Sequence, residues 1–158
     1  MKKNKGNVYL KARKIVLNVS ATDAKWERRK YEKKFTYCID PKFETSNAAG
    51  EDLPTQPCSA KVFDVMNNGT CQQVVPHDAE LFRSANQALQ VAYENDYLLT
   101  EAKERNRVLT LPFTNRPGKK FVALIFLFDG ELWVLLKTFD DPTALFKKNR
   151  HIVILPNQ

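Results

Sequence analysis

Apolar residues are densest between Phe121 and Phe139, FVALIFLFDGELWVLLKTF, where eight unbroken apolar positions lead to Asp129-Gly130 and then to a second apolar run. Asp-Gly between two such runs predicts a two-residue hairpin, because a type I′ turn needs φ > 0 at both central positions. Neither arm alternates apolar with polar residues. Phe121 to Phe128 are therefore expected to be covered on both faces, as in central strands, with Phe126 and Trp133 in the core.

Upstream, Val8 to Val19 is rich in β-branched residues and reads as a strand behind a disordered basic arm, residues 1–7. Between Thr22 and Ile39 two readings stay open, a short helix capped by Thr22 or Asp23 and a long curved strand, since the apolar spacing gives no helical stripe. Three prolines and Gly50 make residues 41–60 a mobile loop. Lys61 to Met66 and Cys71 to Val75 flank Asn67-Asn68-Gly69-Thr70, a second hairpin signal.

From Asp78 the period changes. Leu81, Phe82, Ala85, Ala88, Leu89, Ala92 and Tyr93 recur at three and four residues, so a helix capped by Asp78 is expected to reach about Tyr97, with a continuation or restart through Thr100 to Arg105. Val108 to Phe113 reads as a strand, Asn115 to Gly118 as a turn, Asp140-Asp141-Pro142 as the opening of a helical turn to Lys148, and His151 to Leu155 as a last strand. The sum is α+β, a long helix packed on a mainly antiparallel sheet with a C-terminal β-meander of four strands. With 158 residues, 43% of them hydrophobic, the chain fits one domain with a core that needs no staples.

Charge adds what periodicity does not show. The net +7 is segregated: residues 1–43 carry a net +9, residues 44–101 a net −7 and residues 102–158 a net +5. Two basic blocks around an acidic middle could join into one surface for a phosphate backbone, or pair internally with the acidic segment. No apolar run approaches the roughly 20 residues that span a bilayer, and Lys11, Arg13 and Lys14 interrupt any signal-peptide core, which makes a cytoplasmic protein the expectation, with no membrane partner. Cys38, Cys58 and Cys71 are odd in number and widely spaced, as buried free thiols would be.

The catalytic inventory is thin. His77 and His151 are the only histidines and neither has a second ligand at helical or close spacing, so no imidazole-based metal site and no cofactor is expected. The five glycines form no phosphate loop, and Trp133 to Lys137 carries Leu135 where a metal-dependent nuclease strand would carry a carboxylate. What remains is cationic: Arg116, Lys120 and Lys137 as candidate catalytic groups, with Lys11, Arg13, Lys14, Arg28, Arg29, Lys30, Lys119, Lys147, Lys148 and Arg150 as candidate nucleic-acid contacts. Metal-free RNA cleavage needs cations for the developing phosphorane charge and a group such as His151 to move protons. The alternative is that these cations keep strand ends soluble.

The segment GKKFVALIFLFDGELWVLLKTFDDPTALFKK, residues 118–148, resembles the C-terminal hairpin of RelE-like toxins of the HigB type: basic residues entering an apolar strand, a tight acidic-glycine turn, a Leu-Leu strand ending in Phe, and lysines beyond. The resemblance covers 31 residues. It implies a small, metal-independent endoribonuclease neutralised by an antitoxin-like partner. One departure is Asp140-Asp141, which stands where the family carries a basic pair, and carboxylates there repel phosphate. Two functions are thus expected in competition: a nucleic-acid-binding protein, with RNA favoured and cleavage included, or a non-catalytic binding or inhibitor module, such as a phage or mobile-element accessory protein, that grips nucleic acid or an acidic protein, alone or as a homodimer.

Overall fold

The computed structural model describes residues 8–23, 27–32, 37–46, 48, 54–100, 107–115, 118–145 and 151–157. The basic arm, most of residues 47–53 and the stretch 146–150 lie outside these. The fold is α+β, built on a mixed, mostly antiparallel seven-stranded sheet. The strands are β1 (Leu10–Val19), β2 (Tyr37–Ile39), β3 (Cys58–Val65), β5 (Val108–Thr114), β6 (Lys120–Phe128), β7 (Glu131–Thr138) and β9 (Ile152–Pro156), in spatial order β1-β3-β9-β5-β6-β7-β2. β4 (Gly69–Thr70) and β8 (Ala144–Leu145) form a separate two-stranded pair. The helices are short: α1 (Arg28–Glu32), α2 (Lys42–Thr45), α3 (Cys71–Val74), α4 (Ala85–Glu94) and α5 (Tyr97–Thr100). Among the described residues no helix is long and apolar enough to cross a membrane.

The Asp-Gly hairpin is present. Asp129 and Gly130 have φ of 52° and 76°, and β6 pairs with β7 from Phe121↔Thr138 to Phe128↔Glu131. Its cover is uneven. One face of the sheet carries Leu109, Leu111, Phe113, Phe121, Ile125, Val134 and Leu136, packed under α4, Tyr31, Phe43 and Leu98. On the opposite face α3, β4 and β8 cover Val122, Val153 and Leu155 but leave the hairpin tip open. Phe126 and Trp133, opposite each other in the register, are half-buried, and Phe128 is 59% exposed. The expectation of cover on both sides therefore fails at the tip, where Trp133 meets Phe128 edge-on at 6.2 Å.

The expected long helix is ten residues, and its start lies six residues beyond Asp78. Phe82 is drawn into the sheet instead: its N–H donates to the Pro112 carbonyl (3.1 Å) and its carbonyl accepts from Thr114 N–H (2.7 Å). The helix then begins at Ser84, whose hydroxyl accepts from Gln87 N–H. Asn95 ends it, and α5 follows as a single turn.

The Asn-Gly hairpin is absent. Thr70 and Gln73 form a reciprocal capping box that starts α3, and β3 pairs with β1 and β9 rather than with the residues after Gly69. Gly69 is there for proximity: a Cβ would lie 2.9 Å from the Tyr9 ring. Gly69→Ala is expected to cost about 1–3 kcal/mol, as overpacking does, and a chemical-denaturation midpoint equal to that of the wild type would contradict this.

β9 corrects the expected meander. Only β5, β6 and β7 run as a meander, while β9 lies between β3, antiparallel to it, and β5, parallel to it. In place of a helical turn after Pro142, residues 144–145 make β8. In the stretch expected to be a loop, α2 forms and Thr55 bridges Thr22 through backbone bonds and a buried 2.6 Å hydroxyl pair. Of the two open readings for Thr22 to Ile39, the short helix holds only as α1, with Thr22 bridged to Thr55 rather than capping it. The long curved strand does not hold, since among the described residues only Tyr37–Ile39 are a strand and α1 precedes them.

Candidate nucleic-acid interface

Strand alternation decides which cations meet. Val122 lies opposite Lys137, and Lys120 is two positions before Val122, so Lys120 and Lys137 project on one face of the sheet while Lys119 projects on the other. Lys120 is exposed, with Nζ 5.5 Å from the centroid of Phe139, whose backbone N–H bonds the Lys120 carbonyl at 3.2 Å. Lys119 Nζ stands 5.3 Å from the Phe121 centroid. Buried Asn115 shapes the approach: its N–H donates to the Lys119 carbonyl (3.1 Å) and its side-chain oxygen accepts from Lys119 N–H (3.0 Å). Gly118, at φ +88°, allows the turn. Arg116 lies outside the described residues.

Carboxylates enter the same end of the sheet. The Asp141 side chain accepts from Thr143 N–H at 2.8 Å, and the Thr143 hydrogen bonds, followed by the positive charges of Lys137 and Lys42, hold its carboxyl below the usual range. Lys42 was not among the residues singled out from the sequence. It arrives because β2 docks parallel on β7 and Asp40 continues that contact, its N–H donating to the Val134 carbonyl (2.9 Å) and its carboxylate accepting from Leu136 N–H (3.3 Å).

A second basic region lies across the sheet. β1 is the edge strand opposite β2, four strand positions from β6, about 19 Å at the usual interstrand spacing. Lys11 and Lys14 are exposed on it and Lys61 is exposed on neighbouring β3. Arg13 makes a two-point pair with Asp64, at 3.0 Å from Nε and 2.9 Å from Nη2, and so is tied to its own sheet. Arg29 is exposed on α1, near the opposite edge, where Lys30 Nζ sits 5.4 Å from the Tyr31 centroid. α1 includes Arg28, whose side chain, with Lys147, Lys148 and Arg150, is outside the described residues. The described cations thus lie in three places, the β6–β7 end, β1 with β3, and α1 near the β2 edge.

His151 is buried, with Nδ1 3.4 Å from the Thr110 hydroxyl, and burial pushes its pKa down to about 4. It is neutral and withdrawn from any surface phosphate at neutral pH. His77 is exposed. Among the described residues no group of three or more His, Cys, Asp or Glu could hold a metal ion. Burial raises the Cys71 thiol to about 12, which keeps it protonated. Comparison with protein-family models, with curated proteins and with solved structures yields no match.

Proposed function

We propose that this is a nucleic-acid-binding protein that holds a phosphate backbone without cutting it. One observation carries the reading: Lys11, Lys14, Lys61, Lys119 and Lys120 are exposed, and no carboxylate pairs with any of them among the described residues. Exposed ammonium groups without a carboxylate partner among the described residues, on two regions of one sheet, suit phosphates spaced along a strand, whose condensed counterions they would release. RNA is the favoured polymer only through the hairpin resemblance.

Cleavage has weaker support. Asp141 remains ionised beside Lys137, so an approaching phosphate meets a carboxylate there, and His151 is too buried to shuttle a proton. The observation on the other side is that Lys120 and Lys137 share a face. Both readings are separated by incubating the purified chain with RNA in EDTA. The RNA is expected to stay intact; cleavage abolished by Lys137→Ala would establish the ribonuclease instead.

Binding itself is checked by titrating single-stranded RNA at several salt concentrations. Affinity is expected to fall steeply with salt, and replacing Lys11, Lys14 and Lys61 together by Ala to lower the slope of log affinity against log salt by about 2. These side chains are exposed, so the melting temperature should not move. Affinity that ignores salt, or no binding to RNA or DNA at low salt, would overturn the proposal and leave an acidic protein as the partner to test.

A further inference from the structure

A cavity of about 430 Å³ opens between the segment Pro54–Cys58, the residues leading into α4, and the end of β9. Its size falls in the range of small-molecule sites. Pro54, Pro57, Leu81 and Pro156 give it apolar walls. Three polar groups break this lining in a particular way. Glu80 and Arg83, both exposed at its mouth, carry opposite charges and make no ion pair with each other or with any other described residue. Each acts on the Cys58 thiol in the cavity wall, Arg83 lowering its pKa and Glu80 raising it, against a larger upward push from burial.

Gln87 is the third group, and only 4% of it is exposed. Its side-chain oxygen is committed to Arg83 N–H at 2.8 Å, which fixes the orientation of the amide. The NH2 end is left with Cys58 Sγ at 3.8 Å, and a sulfur at that distance is a weak acceptor. Two donors on a buried side chain thus line a cavity with one weak partner between them. Such a group calls for an oxygen acceptor from a ligand.

We infer that this cavity binds a small zwitterion with an apolar body, of the class of an apolar α-amino acid: its carboxylate between Arg83 and the Gln87 amide, its ammonium on Glu80, its side chain against the prolines and Leu81. A guanidinium matches a carboxylate at two points, and the unpaired Glu80 supplies the complement for the cation. Glu80, Pro156 and Asn157 also line an adjoining cavity with Lys61, so the site borders one lysine group, but the assignment does not depend on nucleic-acid binding.

The test uses the intact chain, a panel of free apolar L-amino acids, and two readouts: calorimetric affinity and the rate of Cys58 alkylation measured by peptide mass spectrometry. At least one amino acid is expected to bind and to slow alkylation of Cys58 while leaving Cys38 unaffected. Arg83→Ala and Glu80→Ala, both surface changes, should each weaken binding about tenfold or more, and the N-acetylated amino acid, without its ammonium, should bind as weakly to the wild type as the free one does to Glu80→Ala. No binding by any member of the panel, binding indifferent to Arg83→Ala, or an N-acetyl derivative that binds as well as the free amino acid would each overturn the assignment.

Discussion

Replacing Phe113 by Ala is expected to remove about 3–5 kcal/mol of stability, enough to leave little soluble protein at physiological temperature. Phe113 is fully buried at the centre of an aromatic stack, 6.2 Å from the Phe43 centroid and 5.6 Å from that of Phe121. The neighbouring backbone also receives Phe82, which bridges to Phe113. Truncation would leave a void between the Phe43 ring on α2 and the Phe121 ring on β6, and the sheet bonds that hold β5 and β6 oppose its collapse. Phe128→Ala is the matched control. It deletes the same atoms from a residue 59% exposed at the hairpin tip and should cost under about 1 kcal/mol. Urea midpoints of the two variants decide the matter, provided the slopes agree. Equal losses would mean that the tip is covered in solution and that the centre of the core is elsewhere.

That contrast marks how far the apolar pattern could be read. The hairpin was legible because its turn is a local requirement: two residues with positive φ, met by Asp129 and Gly130. Which of its faces stays open was not, since the cover comes from α3, β4 and β8, segments whose docking no local pattern encodes. Asn68-Gly69 carried the same signal as Asp129-Gly130 but answers a different need, the close approach of Tyr9. β9 was legible as a strand, yet its insertion between β3 and β5 joins segments far apart in sequence.

The lysine site divides along the same line. That Lys120 and Lys137 share a face and Lys119 does not follows from alternation once the hairpin register is known. Lys42 beside Asp141 does not follow, because it depends on the parallel docking of the three-residue β2. The separation of Lys11 and Lys14 from the hairpin likewise depends on strand order, which net charge per segment does not contain. The cavity beside α4 does not follow from the pattern either, because periodicity places Leu81, one of its walls, on a helix, whereas α4 starts at Ala85 behind the Ser84 cap.

Acidification should destabilise the fold through His151 before most carboxylates titrate. The imidazole is 7% exposed at the start of β9, its ring near the Thr110 hydroxyl and its carbonyl accepting from Val65 N–H at 3.1 Å. Burial lowers its pKa from 6.5 to about 4. Between those values the unfolded chain takes up a proton that the folded chain refuses, so the unfolded state binds more protons and stability rises with pH; read downward, stability is lost as pH falls from about 6.5 towards 4. At 1.36 kcal/mol for each unit of displacement the full loss is about 3 kcal/mol, of which more than 1 kcal/mol falls above pH 5.5, where carboxylates remain ionised. Urea midpoints taken in steps from pH 7 to pH 5.5 measure it. His151→Asn removes the titration, and although it shifts the baseline by altering the contact with Thr110, its midpoint should be nearly flat over the same interval. A wild-type midpoint just as flat would mean that the imidazole reaches water and titrates near its ordinary value, which would return His151 to the groups able to pass a proton at the protein surface.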